Sequence, residues 1–195
     1  MFAPQYNFAP TPVPPHAGAY IDCALSDTAL GTASIGKDIV RYYPLVIDSD
    51  MTLDQYCLEI ISGAGNGAAV SFGIYDDDGA DDYFPGSAID IKNNIVLAPS
   101  EKFSEPLLTS PTSRLRGEQI WLALHCNSAA VVTRSIPANT GSQAIIGRIK
   151  LPASNGYYTG LSEPRPFADG LPPVATVGYA NLANISGNRL MLRQA

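Results

Sequence analysis

Charge is scarce in this chain. Only 15% of its 195 residues are Asp, Glu, Lys or Arg, and 12 cations face 18 anions. No Lys/Arg cluster occurs anywhere, and the formal net charge is −6. No nucleic-acid partner is expected, because such affinity rests on clustered cations neutralising phosphates. No apolar run approaches the roughly 18 residues of a membrane span, so no membrane insertion is expected either. The opening stretch MFAPQYNFAPTPVPPHAGAY has neither the basic start nor the continuous apolar core of a secretory signal. The expectation is a chain made in a cytoplasm and not exported by a cleaved signal. Cysteine is sparse as well: Cys23, Cys57 and Cys126 are odd in number and lack CxxC spacing. They read as small, packed free thiols rather than a disulfide framework.

The residues of common catalytic motifs are missing. The two histidines are His16, in the N-terminal stretch, and His125, inside an apolar alternation. There is no GxSxG elbow, phosphate-binding glycine loop, dinucleotide fingerprint or zinc spacing. Glu59, Glu101, Glu105, Glu118 and Glu163 are scattered, with no pattern that selects a glycosidase pair. The sequon at Asn184 carries no weight without a secretory route. His125 reads as a packed residue. No catalytic residue, metal ligand or cofactor is expected, and the chain is read as a non-enzyme.

One acidic run needs an explanation. VSFGIYDDDG spans 70–79, and Asp81 and Asp82 follow Asp76, Asp77 and Asp78 closely. Counted from Asp76, an EF-hand loop needs glycine sixth and glutamate twelfth, but here glycine is fourth and the twelfth residue is Ser87. That pattern fails, leaving a non-EF calcium geometry as the lesser alternative. Val70, Phe72 and Ile74 alternate with Ser71, Gly73 and Tyr75, the period of a half-buried strand. The acids are therefore read as a solvated turn at the end of that strand, bonding local amides.

What the sequence does contain is turn chemistry and short β patterns. Its 16 prolines and 17 glycines leave no amphipathic helix of about twelve residues. DIVRYYPLVI (38–47) reads as a strand in which Pro44 marks an edge or bulge. LDQYCLEII (53–61) puts Tyr56, Leu58 and Ile60 on one face, and Gln55, Cys57 and Glu59 on the other. SGAGNGAA (62–69) is a glycine-rich turn. AIDIKNNIVLA (88–98) is either one strand or a hairpin about Asn93 and Asn94. EQIWLALHC (118–126) alternates Ile120, Leu122 and Leu124 against Trp121, Ala123 and His125. It reads as a hairpin, turning at Asn127 and Ser128 into AAVVTRSI (129–136). QAIIGRIKL (143–151), VATVGYANL (174–182) and RLMLR (189–193) are further strand candidates. Trp121 is expected to be buried in the sandwich. Strands at this spacing predict an all-β, antiparallel β-sandwich, jelly-roll-like, over residues 21–195.

Residues 1–20 stand apart as an extended Pro-rich N-terminal arm. Pro4, Pro10, Pro12, Pro14 and Pro15 favour polyproline-like backbone, and Phe2, Tyr6 and Phe8 are too many aromatics for a plain linker. They are the candidate partner-binding residues. The interval 152–173 reads as a long irregular loop, with Tyr157, Tyr158 and Phe167 as a candidate interface.

Three stretches together resemble a known module: RYYPLVIDSDMTLDQYCLEIISGAGNGAAVSFGIYDDDG, GEQIWLALHCNSAAVV and FADGLPPVATVG. They are similar to β-sandwich modules in virion proteins of tailed bacteriophages, found in tail fibres and related appendages. There a Tyr-Pro strand leads to an "IYdDdg" turn, then a "WLAl" strand and a late Leu-Pro segment. The resemblance covers about 41–178. This chain departs from it in the longer acidic turn DDDGADDYFPG. The resemblance implies a non-enzymatic virion protein, assembled in the host bacterial cytoplasm, with Tyr75 and Trp121 as packing residues. It further implies capsid, neck or tail proteins as partners and a homo-oligomer, such as a trimer, in a tail-fibre, host-attachment or capsid-decoration role. A host surface glycan is a further candidate partner. The alternative is a carbohydrate-binding accessory module of a polysaccharide-acting system, which would need Tyr157, Tyr158 and Tyr83 as an exposed platform.

Overall fold

A computed structural model describes residues 17–22, 31–79, 84–136, 160–183 and 187–195. Among them there is no α-helix. In chain order the strands are β1 (Tyr20–Asp22), β2 (Gly31–Ser34), β3 (Ile39–Val46), β4 (Met51–Ser62), β5 (Ala69–Asp77), β6 (Pro85–Val96) and β7 (Phe103–Ser104). They continue as β8 (Leu107–Arg114), β9 (Gln119–Cys126), β10 (Val132–Ile136), β11 (Gly160–Pro164), β12 (Leu182–Ala183), β13 (Gly187–Asn188) and β14 (Leu190–Gln194). They form two antiparallel sheets. One runs β12-β11-β3-β9-β5-β6; the other runs β1-β14-β4-β10-β13, with β2 on β10 and β7 and β8 on β4.

Alternation explains how the sheets meet. Tyr56, Leu58 and Ile60 of β4 and Leu190 and Leu192 of β14 pack against Val70, Phe72 and Ile74 of β5 and Ile120, Leu122 and Leu124 of β9. Tyr56 stacks on Phe72 with ring centroids 5.3 Å apart. Its hydroxyl, which cannot go unpaired in such a place, donates to Asp90 Oδ2 at 3.0 Å. Each such side chain contributes about 1.5–3 kcal/mol by leaving water. A bulge at Asp54 and Gln55 lets Leu53 share the inward face with Tyr56 despite the odd spacing.

The six-stranded sheet is buried on both faces. On its outer face Val40, Tyr42, Tyr75, Phe84, Trp121, Ala123, Leu161, Leu171 and Val177 form a second apolar layer. Trp121 is 0% exposed, as expected, but it belongs to this outer layer and not to the core between the sheets.

Several expectations are corrected. Residues 118–136 are not a hairpin: β9 pairs with β3 and β5, while β10 pairs with β2, β4 and β13 in the other sheet. Asn127 and Ser128 make the turn of a crossover between sheets. The glycine-rich turn after β4 is likewise a crossover, with φ positive at Gly63, Gly65, Asn66 and Gly67. β3 is not an edge strand; it lies between β11 and β9. Pro44 is tolerated because Ile47 N donates to Glu118 O, so in this ladder the Pro44 nitrogen faces away from β9. The described pairing of β11 stops at Tyr42. β6 is one strand, and Asn94 (φ 57°) takes up a bulge between Lys92 and Ile95. The interval 152–173 is not wholly irregular, since β11 runs through it and pairs with β3. VATVGYANL holds no long strand: Val174 makes a single bridge to Ser87, a 3-10 turn occupies Tyr179–Asn181, and only β12 follows. Asn181 Oδ1 accepts from Gly178 N, a local turn that competes with the ladder. RLMLR is β14, as expected. QAIIGRIKL lies outside the described residues.

Candidate functional site

The segment 165–178 covers the outer layer, and sequence-distant side chains hold it there. Arg165 N donates to Asp38 O (2.8 Å) and Phe167 N to Asp38 Oδ1 (2.9 Å). Leu171 N donates to Asn93 Oδ1 (3.0 Å), and Tyr75 Oη to Pro172 O (2.7 Å). Ala88 N to Pro173 O and Ala175 N to Gly86 O, both 2.9 Å, stitch the segment to β6. That contact also covers part of an edge strand that would otherwise be open. Burial pushes the phenols of Tyr42 and Tyr75 well above the usual tyrosine range. Both stay neutral.

His125 lies under the same segment. Its Nε2 lies 2.9 Å from Arg165 O, which as an acceptor fixes the proton on Nε2, and its ring centroid is 5.0 Å from that of Phe167. Burial holds its pKa below the ordinary value of 6.5, and the residue is 0% exposed. It is a packed residue, as the sequence suggested, without access to a substrate. Phe167 is half-buried in the 3-10 turn Phe167–Asp169. Tyr157 and Tyr158, its proposed companions, lie outside the described residues.

The acidic run ends β5 as a turn. Asp77 Oδ1 accepts from Gly79 N at 2.9 Å, and Asp78 N donates to Phe84 O. Asp76 pairs with Arg114 at 2.9 Å, and Arg114 also lies 3.7 Å from Glu118. Among the described residues no three His, Cys, Asp or Glu side chains are grouped to hold a metal ion. Asp81, Asp82 and Tyr83 lie outside that set. Cys57 and Cys126 are free and buried, and burial pushes the Cys57 thiol up to about 12. That leaves no reactive thiolate at neutral pH. Cys23 lies outside the described residues, as do the arm residues Phe2, Tyr6, Phe8, Pro10, Pro12, Pro14 and Pro15.

Sequence reasoning missed one surface. Among the described residues, Tyr20 (41% exposed), Ile61 (41%), Phe103 (50%) and Leu107 (60%) are large apolar side chains in solvent. Register puts all four on the outer face of the eight-stranded sheet. Phe103 opposes Glu59, Leu107 opposes Gln55, Tyr20 opposes Arg193, and Arg193 in turn opposes Gln55. Ile61 follows Glu59 on the same side by alternation. Charges around the patch are paired: Arg134 Nη2 with Glu59 Oε1 at 2.9 Å, and Arg193 Nη2 with Asp54 Oδ2 at 2.7 Å. Tyr20 Oη donates to Glu105 Oε1 at 2.7 Å, a bond that raises the phenol to about 12. The signal was present in KFSEPL, where Phe103, Glu105 and Leu107 recur at every second position.

No family model matches the chain, and no curated protein matches its sequence.

Proposed function

We propose that the chain is a non-enzymatic structural protein of a tailed-bacteriophage virion, with a jelly-roll-like sandwich displayed outward. Its N-terminal segment, with Phe2, Tyr6 and Phe8 among prolines, is the part that docks on capsid, neck or tail proteins. The role is fibre and host attachment or capsid decoration, exercised as a homo-oligomer.

One observation carries most of this reading. The stretches that resemble the virion module are far apart in sequence, yet they supply a single layer: Tyr42, then Tyr75, then Trp121, then Leu171 and Val177. A resemblance confined to local turn chemistry would have no reason to converge on one packed cluster. The carbohydrate reading rests on Tyr83, Tyr157 and Tyr158, which lie outside the described residues; Tyr42, Tyr43, Tyr56, Tyr75 and Trp121 are each at most 2% exposed. Those rings offer no sugar a platform.

Mass spectrometry of purified particles tests the proposal. The chain should be present, and copy number should separate a decoration subunit from a fibre subunit. Absence from particles would refute the virion role. Deletion of residues 1–16 spares Gly18 and Ala19, which bond Gln194. It should leave a soluble domain that no longer enters particles. Incorporation of that variant at wild-type copy number would rule the segment out as the anchor.

A further inference from the structure

We propose that residues 165–171 form an acid-released strap: when His125 takes up a second proton, they lift from the outer face of the six-stranded sheet and uncover the apolar layer beneath. The proposal does not rest on the virion reading.

The strap crosses the sheet without pairing to it. The described ladder of β11 ends at Pro164, opposite Ile39. From there Arg165 N and Phe167 N bond Asp38, just before β3, and Arg165 O lies over His125 of β9. Leu171 Cδ1 sits over Gly73 of β5, and Leu171 N reaches Asn93 Oδ1 on β6. Between these points the turn is closed on itself, with Arg165 Nε donating to Gly170 O at 2.7 Å. Of the seven residues only Leu171 is buried. A segment with one buried apolar side chain and a handful of non-ladder bonds belongs to the low end of a protein's range of local stability.

His125 is the titratable group that this segment shuts in. Its Nε2 donates to Arg165 O, while Nδ1, among the described residues, is buried with no hydrogen-bond partner. In the neutral ring Nδ1 is a bare lone pair. In the imidazolium it becomes an N–H donor with no acceptor, on a charged ring closed off from water. Val40 opposes the ring on β3 and Ser71 on β5, and the Ser71 hydroxyl already accepts from Asn94 N. The charged groups that face it are Asp38, Arg165 and Asp169. Burial weighs most and disfavours the charged ring. The bond to Arg165 O, Asp38 and Asp169 favour it, Arg165 opposes it, and burial prevails. Lifting the strap returns the ring to water, so opening takes up a proton. Acid therefore favours the open form below about pH 6.5 and not above it. Between pH 8 and pH 5.5 the opening constant rises by up to about tenfold.

Hydrogen exchange followed by NMR tests this, read as protection factors so that the intrinsic pH dependence of exchange cancels. The Phe167 and Leu171 amides should be far less protected than the Tyr56 amide of β4, because they exchange without global unfolding. From pH 8 to pH 5.5 they should lose protection by up to about tenfold. Dilute urea should leave their protection unchanged, since local opening exposes little surface. His125→Gln keeps a donor for Arg165 O but cannot titrate, and its strap amides should be equally protected at both pH values. If circular dichroism shows that glutamine disturbs the fold, His125→Asn replaces it, and the wild-type comparison of pH and urea decides independently. Strap amides as protected as Tyr56, protection indifferent to pH, or the same loss in the variant overturns the proposal. None of these results depends on particles, so they leave the virion proposal to its own test.

Discussion

Gly73→Ala probes the outer layer by a single methyl group. Gly73 lies on β5 opposite Ala123, beneath the 165–178 segment. A Cβ there would stand 2.7 Å from Tyr75 Cε2, 3.1 Å from Leu171 Cδ1 and 3.3 Å from the Ala123 Cβ. The Tyr75 ring cannot simply swing away: its hydroxyl is tied to Pro172 O, and it meets Tyr42 edge-on at 5.6 Å. Overpacking of this kind costs about 1–3 kcal/mol. Against it stands the ~0.5–1 kcal/mol by which Ala is favoured over Gly within a strand. The net expectation is a loss of about 1–2 kcal/mol, or roughly 2–8 °C in Tm for a chain of this size. Gly178→Ala is the control, since Gly178 has an ordinary φ and nothing within 4 Å of the added carbon. It should be neutral or stabilise by up to about 1 kcal/mol through the unfolded state. Urea unfolding followed by circular dichroism, and by the fluorescence of Trp121 in the same layer, measures both. Leu171→Ala should cost less in the Gly73→Ala background than alone, because it removes one of the clashing methyl groups. If Gly73→Ala proves as stable as Gly178→Ala, the 165–178 segment does not press on the sheet at Gly73.

Three further outcomes follow from the same geometry. Trp121→Ala should cost about 3–5 kcal/mol, the range for a large buried aromatic; a variant melting within about 2 °C of wild type would put Trp121 on the surface. Burial lowers the folded-state pKa of His125, so the unfolded chain binds the extra proton as pH falls below the ordinary value of 6.5. His125 therefore destabilises the fold progressively below that pH and has no such effect above it. His125→Gln should narrow the gap in Tm between about pH 8 and pH 5, and parallel profiles for the two chains would contradict a buried neutral imidazole. Chelation by EDTA should leave melting unchanged, since Asp76 and Asp77 already have partners in Arg114 and Gly79. A loss of about 10 °C would make the acidic turn a structural metal site.

What could be read in advance was whatever the local chain dictates. Alternation placed Tyr56, Leu58 and Ile60 on the core face, and it sorted the residues of β9 into two sets correctly. It could not tell that both sets are buried by different partners. Turn residues announce a reversal but do not name the strand that follows as a neighbour. Asn127 and Ser128 therefore read equally well as a hairpin or a crossover, and the crossover is what forms.

The covering segment was the least legible part, and its hydrogen bonds explain why. Phe167 bonds a residue 129 positions away, Leu171 one 78 away, and Arg165 accepts from His125 at a distance of 40. Nothing in FADGLPPVATVG has a period, because its backbone is held by the side chains of Asp38 and Asn93 and by one isolated bridge to β6 rather than by a regular ladder. The exposed apolar face of the eight-stranded sheet shows the opposite case. Phe103, Glu105 and Leu107 carry a clear period of two, but over so short a run between prolines that it does not stand out as a strand. Its meaning depends on β4 lying beside it, which brings Glu59 and Gln55 opposite and makes the apolar side chains face water. An exposed apolar face is thus a property of two strands at once, and no single stretch of this chain declares it.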